Sequence, residues 1–176
     1  YIWSITGGTI TAGGNGFNTA TVTWTTLGAQ SISVNYANAN GCSAIAPTVK
    51  NVTVNPVPVP TITGYTSMCV NIGPLDYITE PGMTNYIWTV SPGNSISGGN
   101  TNQVQISWLV PGNQWVAVNY TGPSGCSAAV PTQLNVFVNP LPGPAGTITG
   151  TAAVCGGTNG VAYSVGVIAN TSTYVW

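Results

Sequence analysis

The sequence repeats itself within its own length, and this repeat constrains the fold more than any other feature. Tyr1-Ile2-Trp3 returns as Tyr86-Ile87-Trp88, and Gly41-Cys42-Ser43 returns as Gly125-Cys126-Ser127. Other matching residues lie 84 to 86 positions apart: Trp24 and Trp108, Tyr36 and Tyr120, Asn55 and Asn139, Cys69 and Cys155, Tyr77 and Tyr163. A period of this length exceeds those of solenoids and propellers, so each repeat is predicted to be a whole small domain.

Charged side chains are almost absent from the sequence. They are Lys50, Asp76 and Glu80, and there is no histidine or arginine. General acid–base and nucleophilic catalysis need a positioned group that exchanges protons, and phosphate binding needs clustered Lys and Arg. The composition therefore predicts no enzyme, no cofactor and no nucleic-acid partner. Asp76 and Glu80 supply too few oxygens for a calcium site, and we expect them to form a solvated pair.

Apolar and polar residues alternate along short segments, which indicates β-strands with one buried face. In the second repeat these segments are residues 86–90, 104–108, 116–120 and 136–138, separated by Gly, Pro, Asn and Ser clusters. Apolar residues make up 43% of the chain, enough to form a core. The pattern predicts an all-β fold of antiparallel, immunoglobulin-like β-sandwiches. The aromatic residues predicted to form the core are Trp3, Trp24, Trp88, Trp108, Tyr36 and Tyr120.

Proline-rich segments follow the last strand of each repeat, at residues 55–60 and 139–144. Proline favours extended linkers and cannot donate a ladder hydrogen bond, so these segments are predicted to be domain joints. Residues 1–56 would then form the last two thirds of one repeat, residues 57–140 a complete repeat, and residues 141–176 the first third of another.

The four cysteines recur at regular positions, which suggests an oxidising, extracytoplasmic setting. In the complete repeat the order is Cys69, Trp88, Cys126, similar to the order in immunoglobulin domains. We therefore predict a Cys69–Cys126 disulfide, with Cys42 and Cys155 paired to cysteines outside this sequence. The alternative is pairing across the joints, Cys42 with Cys69 and Cys126 with Cys155.

The motifs follow one another in a fixed order. Tyr-x-Trp precedes a Val-x-Ile-x-Trp strand, a Val-x-Val-x-Tyr strand, Gly-Cys-Ser and Val-x-Val-Asn-Pro, and Ile-Thr-Gly precedes a cysteine at residues 62–69 and 148–155. In this combination the chain resembles, over essentially its whole length, the PKD-like repeats of Bacteroidota secreted surface proteins. The resemblance implies tandem immunoglobulin-like sandwiches in a gliding-type adhesin exported by type IX secretion. The Trp-Asp-Phe-Gly-Asp-Gly-like stretch of better-known PKD domains has no match in this sequence.

Two aromatic residues distinguish the second repeat from the first. Trp115 stands where the first repeat has Ser31, and Phe137 stands where it has Thr53. Both are predicted on outward strand faces, and they would lie directly opposite each other if Tyr120 pairs near Thr132. Such a pair could contact a sugar ring or another protein. It could also pack against a neighbouring domain or stabilise its hairpin.

These observations predict a non-enzymatic repeat segment of a large extracellular bacterial surface protein, serving as a stalk, fibre or adhesive array. The alternatives are a carbohydrate-binding or spacer module of a secreted enzyme, and a subunit of an extracellular filament or sheath. The expected partners are neighbouring repeats, surface polysaccharide, other cell-surface proteins or like chains in a filament. No apolar run reaches the roughly 18 residues of a membrane-spanning helix, so we expect no membrane insertion. The return of Tyr-x-Trp at 174–176 favours an excerpt of a longer polypeptide.

Overall fold

The structure is built from β-strands. The computed structural model describes residues 1–173 and 175. All the regular secondary structure within these residues is β-strand, which confirms the all-β prediction. Tyr174 and Trp176, which carry the third Tyr-x-Trp motif, lie outside the described residues. In chain order the strands are β1 (Ile2–Ile5), β2 (Gly8–Gly13), β3 (Ala20–Trp24), β4 (Gly28–Asn35), β5 (Thr48–Val54), β6 (Ser67–Cys69), β7 (Leu75–Ile78), β8 (Thr84–Val90), β9 (Ser95–Gly98), β10 (Gln103–Ser107), β11 (Gly112–Thr121), β12 (Thr132–Asn139), β13 (Thr149–Gly150) and β14 (Tyr163–Ser164).

The residues divide into two compact units. One unit comprises Tyr1–Pro58 with Thr121–Ala128, and the other comprises Val59–Tyr120 with the residues from Ala129 onward. The first unit contains a sheet of order β1-β4-β5 and a β2–β3 pair, and its strand pairs are antiparallel. The domain boundaries at residues 56 and 140 remain a prediction.

The second unit contains a β-sandwich of seven strands. One sheet has the order β6-β12-β11-β8, and the other has the order β7-β10-β9. This two-sheet arrangement is typical of immunoglobulin-like domains. Strand β11 pairs antiparallel with β12, whereas β6 joins β12 in parallel, with Ser67 opposite Phe137. The parallel pair at the sheet edge departs from the antiparallel pattern that the sequence predicts. A short antiparallel pair of β13 and β14 also belongs to this unit.

The core lies between the two sheets and follows the alternation of the sequence. Val104 and Ile106 of β10 are buried, while Gln103 and Gln105 beside them are exposed. The same alternation runs along the strands of the facing sheet, where removal of apolar side chains from water is the main driving force. The buried apolar residues that form the central cluster are Val70, Tyr77, Trp88, Val104, Ile106, Trp108, Val116, Val118, Val136 and Val138.

The aromatic residues predicted for the core differ in burial between the two units. In the second unit Trp88 is 7% exposed, Trp108 is 0% exposed and Tyr120 is 3% exposed. In the first unit Trp3 and Trp24 are half-buried. The second unit contains two strands from residues 57–85, β6 and β7, that have no match among the strands of the first unit.

Tyr36 is 55% exposed, which corrects its assignment to the core. Its ring lies 5.8 Å from that of Tyr1, just as the ring of Tyr120 lies 5.8 Å from that of Tyr86. The tyrosine pair is therefore repeated. In the second unit, the Tyr120 hydroxyl also donates a hydrogen bond to the carboxylate of Glu80.

Tyr77 connects the core to the segment that leads into the sandwich. Its side chain is fully buried, and its hydroxyl accepts a hydrogen bond from the Trp108 indole N–H at 3.0 Å. The same hydroxyl donates to the Tyr65 carbonyl oxygen at 2.8 Å. Burial raises the pKa of Tyr77, more than the hydrogen bond from Trp108 lowers it. The hydroxyl therefore stays protonated and able to donate.

The Ile-Thr-Gly motif places a glycine against this tyrosine. A Cβ atom added to Gly64 would overlap the ring of Tyr77, and one added to Gly150 would overlap the ring of Tyr163. The hydroxyl of Tyr163 also donates to a backbone carbonyl, that of Thr151, at 2.9 Å. The second repeat and the segment of residues 141–176 therefore both need glycine here, because the backbone approaches an aromatic ring closely.

Replacing Gly64 with alanine tests this contact. We expect Gly64→Ala to lower the free energy of unfolding of the sandwich by about 1–3 kcal/mol, because the added methyl group must displace the buried Tyr77 ring. Urea denaturation followed by tryptophan fluorescence measures the change. Gly146→Ala is the matched control, since no atom lies within 4 Å of its added Cβ. Equal stability of the two variants would contradict the packing role of Gly64.

Candidate functional site

The described residues contain no cluster of metal-ligating side chains. Within residues 1–173 and 175, no three side chains of His, Cys, Asp or Glu lie close enough to hold a metal ion together. The same part of the chain contains no helix with the length and hydropathy needed to cross a bilayer. Three other features of the surface are a single carboxylate, the turns that carry cysteines, and a groove lined by aromatic side chains.

Glu80 is the centre of a hydrogen-bond cluster at one end of the sandwich. Its carboxylate accepts hydrogen bonds from the Thr61 backbone N–H at 3.1 Å, the Thr79 hydroxyl at 2.7 Å and the Tyr120 hydroxyl at 2.9 Å. The Tyr86 hydroxyl donates to the Glu80 backbone carbonyl at 2.8 Å. The cluster joins the segment that leads into the sandwich to the end of β11. The expected solvated pair with Asp76 is therefore wrong for Glu80, because this carboxylate is bound within the fold.

The hydrogen bonds to Glu80 stabilise its charged form. Desolvation, the largest single effect, raises the pKa of this carboxyl, but the hydrogen bonds from Thr61, Thr79 and the Glu80 backbone together outweigh it and lower the pKa to about 2. For Tyr120, desolvation raises the pKa, and the hydrogen bond and negative charge of Glu80 raise it further, to about 12. The pair therefore keeps one negative charge and one phenolic proton at neutral pH.

The Gly-Cys-Ser motif forms the same kind of turn in both repeats. Gly41 and Gly125 have φ angles of +79° and +80°, a left-handed conformation that glycine adopts at no steric cost. An isolated β-bridge flanks each turn, and in the second repeat the hydroxyls of Thr121 and Ser127 lie 2.9 Å apart. The motif thus closes a hairpin and carries its cysteine in the turn.

The structure does not bring Cys69 and Cys126 together, which corrects the predicted intradomain disulfide. All four cysteines are free thiols. Cys69 lies opposite Asn139, the last residue of β12, whereas Cys126 lies in the turn that precedes β12. The eight residues of β12 span about 26 Å, and a disulfide needs Cα atoms within about 7 Å. Pairing of Cys42 with Cys69, or of Cys126 with Cys155, remains a prediction.

The hairpin of β11 and β12 has a different register from the expected one. Val118, rather than Tyr120, lies opposite Thr132. Trp115 and Phe137 are therefore diagonal neighbours and not directly opposite each other. Diagonal positions on one sheet face are about 7–8 Å apart, still within reach of aromatic side chains. The register difference keeps both side chains on the same face, because it is an even number of residues.

Trp115 and Phe137 line an open groove on the outer face of the four-stranded sheet. The groove encloses about 500 Å³, and its other lining residues include Thr66, Asn113 and Asn135. Trp115 is half-buried and Phe137 is 47% exposed. The volume lies within the range of about 300–1,000 Å³ typical of small-molecule sites. The groove thus combines two aromatic side chains with amide and hydroxyl groups.

Comparison with known proteins identifies the domain type. A family model that describes the PKD-like domain matches residues 55–136 and 141–176. The chain belongs to the PKD-like domain family. No curated protein matches it in sequence.

Family membership agrees with the architecture of the second unit. PKD-like domains are immunoglobulin-like β-sandwiches, typically non-catalytic and usually extracellular. This PKD-like chain contains the Glu80 cluster and the Trp115–Phe137 groove. Sequence reasoning identified the two aromatic residues of the groove. It missed the contacts of Glu80 with Thr61 and Tyr120, which are distant in sequence, and the position of Thr66 in the groove.

The low pKa of Glu80 makes its contribution to stability depend on pH. Because the folded pKa of about 2 lies below the ordinary value of 4.5, this contribution is fully present above about pH 4.5. It is lost as the pH falls towards 2. We expect Glu80→Gln to reduce the free energy of unfolding by about 1 kcal/mol at pH 7, a value discounted for solvent screening of a partly exposed group. The difference in free energy of unfolding between the variant and the unmodified chain should become smaller in denaturation series recorded at successively lower pH.

Asp76→Asn is the control for net charge, because it removes the other carboxylate from an exposed position of β7. A Glu80→Gln deficit that stays constant from pH 7 to pH 2, or that Asp76→Asn reproduces in full, would show that the hydrogen-bond cluster is not its source.

The separation of Cys69 and Cys126 predicts the outcome of thiol mapping. We expect non-reducing peptide mapping of the oxidised, monomeric chain to recover no peptide that joins these two cysteines. Alkylation of the reduced folded chain should modify Cys69, which is exposed. Cys126→Ser provides the control for misassigned peptides. A stoichiometric Cys69–Cys126 peptide, absent in that variant, would contradict the register of β6 on β12.

Proposed function

We propose that the chain is a non-enzymatic repeat segment of a large extracellular bacterial surface protein, where it serves as part of a stalk or adhesive array. The membership in the PKD-like family supports an extracellular structural or adhesive module. The resemblance to Bacteroidota surface repeats favours a gliding-type adhesin as the parent protein. The near absence of acidic and basic groups fits a role in support and attachment rather than in a reaction.

The path of the chain through the complete sandwich carries the proposal. The chain enters at Thr61, which is hydrogen-bonded to Glu80 and through it to Tyr120 near the end of β11. It leaves at Asn139, next to the pair formed by Val138 and Gly112 at the start of β11. The eight steps from Gly112 to Tyr120 span about 27 Å. A domain that the chain enters at one end and leaves at the other adds its full length to an array.

The joint before the sandwich supports the same function. Residues 55–60 contain no strand, and three of these six residues are prolines. Proline-rich linkers are extended and semi-rigid. A stalk needs this property, because flexible joints would let its domains fold back on one another.

A second candidate function is a carbohydrate-binding module of a secreted enzyme. The Trp115–Phe137 groove favours it, because aromatic and amide side chains together suit a sugar ligand. The two candidates differ in what accompanies the segment. In a secreted enzyme, the parent gene would also encode a catalytic domain with several His, Asp and Glu residues, whereas this segment has no His and two acidic residues.

The proposed location can be tested on cells that produce the parent protein. We expect an antibody raised against residues 1–176 to label intact, unpermeabilised cells, and proteinase K added outside the cells to remove the signal. Immunofluorescence and immunoblotting measure the two effects. A cytoplasmic protein probed in the same samples controls for lysis, because it should be labelled only after permeabilisation. Labelling that requires permeabilisation would contradict the proposal.

A further inference from the structure

The aromatic groove is a property of one repeat and is not needed by the fold. At the matching positions the first repeat has Ser31 and Thr53 in place of Trp115 and Phe137. Its strands β4 and β5 nevertheless pair in the matching register, with Ser31 opposite Asn51. The same hairpin therefore forms without the two aromatic side chains, and hairpin stability alone does not explain them.

Polar groups in the groove remain available to a ligand. The indole N–H groups of Trp88 and Trp108 donate to Thr101 and Tyr77 within the fold. The Trp115 indole N–H has no such acceptor among residues 1–173 and 175, and it is not buried away from solvent.

The amide and hydroxyl groups beside Trp115 are similarly unused. The Asn135 side-chain oxygen accepts a hydrogen bond from Gln133 at 2.9 Å, which leaves its NH₂ group to donate elsewhere. Within the described part of the chain, the Asn113 amide and the Thr66 hydroxyl form no hydrogen bond. Donors and acceptors thus border both aromatic rings on one open face.

The groove carries no charge. None of its lining residues is ionisable. The three charged side chains lie on other elements: Lys50 on β5, Asp76 on β7 and Glu80 in the cluster with Tyr120. An anionic or cationic ligand would lose hydration here without gaining a partner of opposite charge. The occupant that fits is neutral, with an apolar face and several hydroxyl groups.

We propose that the groove formed by Trp115, Phe137, Asn113, Asn135 and Thr66 binds a pyranose unit of a neutral polysaccharide. This inference rests on the proposed adhesive function and specifies its ligand. The C–H face of the sugar packs against the aromatic rings, and its equatorial hydroxyls exchange hydrogen bonds with the amides and the Thr66 hydroxyl. A site of this size holding one sugar unit has a dissociation constant on the order of 1 mM. Repeated units along a polysaccharide raise the apparent affinity by increasing the local concentration of ligand.

A protein partner fits the groove less well. Stable protein interfaces bury about 800 Å² on each partner, with a predominantly apolar centre. Here the apolar surface is limited to two rings, and amide groups border it on β11 and β12. A sugar unit matches both the size of this surface and its mixture of polar and apolar groups.

Affinity electrophoresis of the 176-residue chain in native gels tests the proposal. The gels contain xyloglucan, laminarin or hydroxyethylcellulose, which are neutral polysaccharides with different linkages, and alginate serves as the anionic counterpart. We expect at least one neutral polysaccharide to retard the chain, and alginate to have no effect. The double variant Trp115→Ser, Phe137→Thr carries the first repeat's residues and should lose at least 10-fold in affinity. Each single variant should lose less.

Ile87→Thr is the matched control, because it removes an exposed apolar side chain (61% exposed) from β8, outside the groove. It should retain full retardation. Circular dichroism and the urea midpoint establish that each variant is folded. Proton–nitrogen NMR spectra give an independent readout: the indole resonance that Trp115→Ser removes is the one that should shift when polysaccharide is added to the unmodified chain.

Three results would overturn the glycan site: no retardation by any neutral polysaccharide, equal retardation of the double variant, or equal retardation by alginate. A different result would point to a protein partner instead of a sugar: the unmodified chain self-associates, the double variant does not, and no polysaccharide retards either. These failures are distinguishable from failure of the proposed function. A chain that binds no glycan but is accessible on intact cells keeps its role as a stalk, whereas an intracellular chain loses both assignments.

Discussion

The hydroxyl of Tyr77 is the contact on which the complete sandwich depends. It accepts the Trp108 indole N–H and donates to the Tyr65 carbonyl, so it satisfies a buried donor and ties the incoming segment to the core in one step. Without that link, the indole N–H would be buried with no partner, at a cost of about 1–3 kcal/mol. Gly64 follows from the same contact, because the backbone that reaches Tyr77 leaves no room for a side chain. In the sequence, this contact corresponds to an Ile-Thr-Gly motif followed by a tyrosine.

Alternation in the sequence predicts which residues face the core but cannot predict which strand ends meet. The spacing of Val104, Ile106 and Trp108 predicts one shared face, and the structure buries all three. The expected hairpin register is wrong by two residues, because a shift of two positions keeps every side chain on the same sheet face and so leaves the alternation unchanged. The Cys69–Cys126 pairing fails for a related reason. The order of cysteines along a chain does not reveal at which end of a strand each one lies.

The contacts of Glu80 show a further limit of sequence reasoning. A glutamate close to Asp76 suggests a solvated surface pair, and nothing nearby in sequence indicates Tyr120 as a partner. The sequence offers one indication, which is that acidic residues are rare. In a chain with two of them, a carboxylate between Thr79 and Pro81 is unusual enough to suggest a structural role. The Trp115–Phe137 groove is easier to find, because comparison of the two repeats separates residues that the fold needs from residues that it tolerates.

The parallel pairing of β6 with β12 determines how the sandwich responds to tension. The chain enters ahead of β6 and leaves after β12, and the two strands run side by side with Ser67 opposite Phe137 and Cys69 opposite Asn139. A pull on both ends of the domain therefore slides one strand along the other. The backbone hydrogen bonds that join them, such as Phe137 N–H to Thr66 O and Val70 N–H to Asn139 O, are loaded together and must break together. In an antiparallel terminal pair the bonds would open in succession, as in a zipper, so the parallel edge gives this domain resistance to shear.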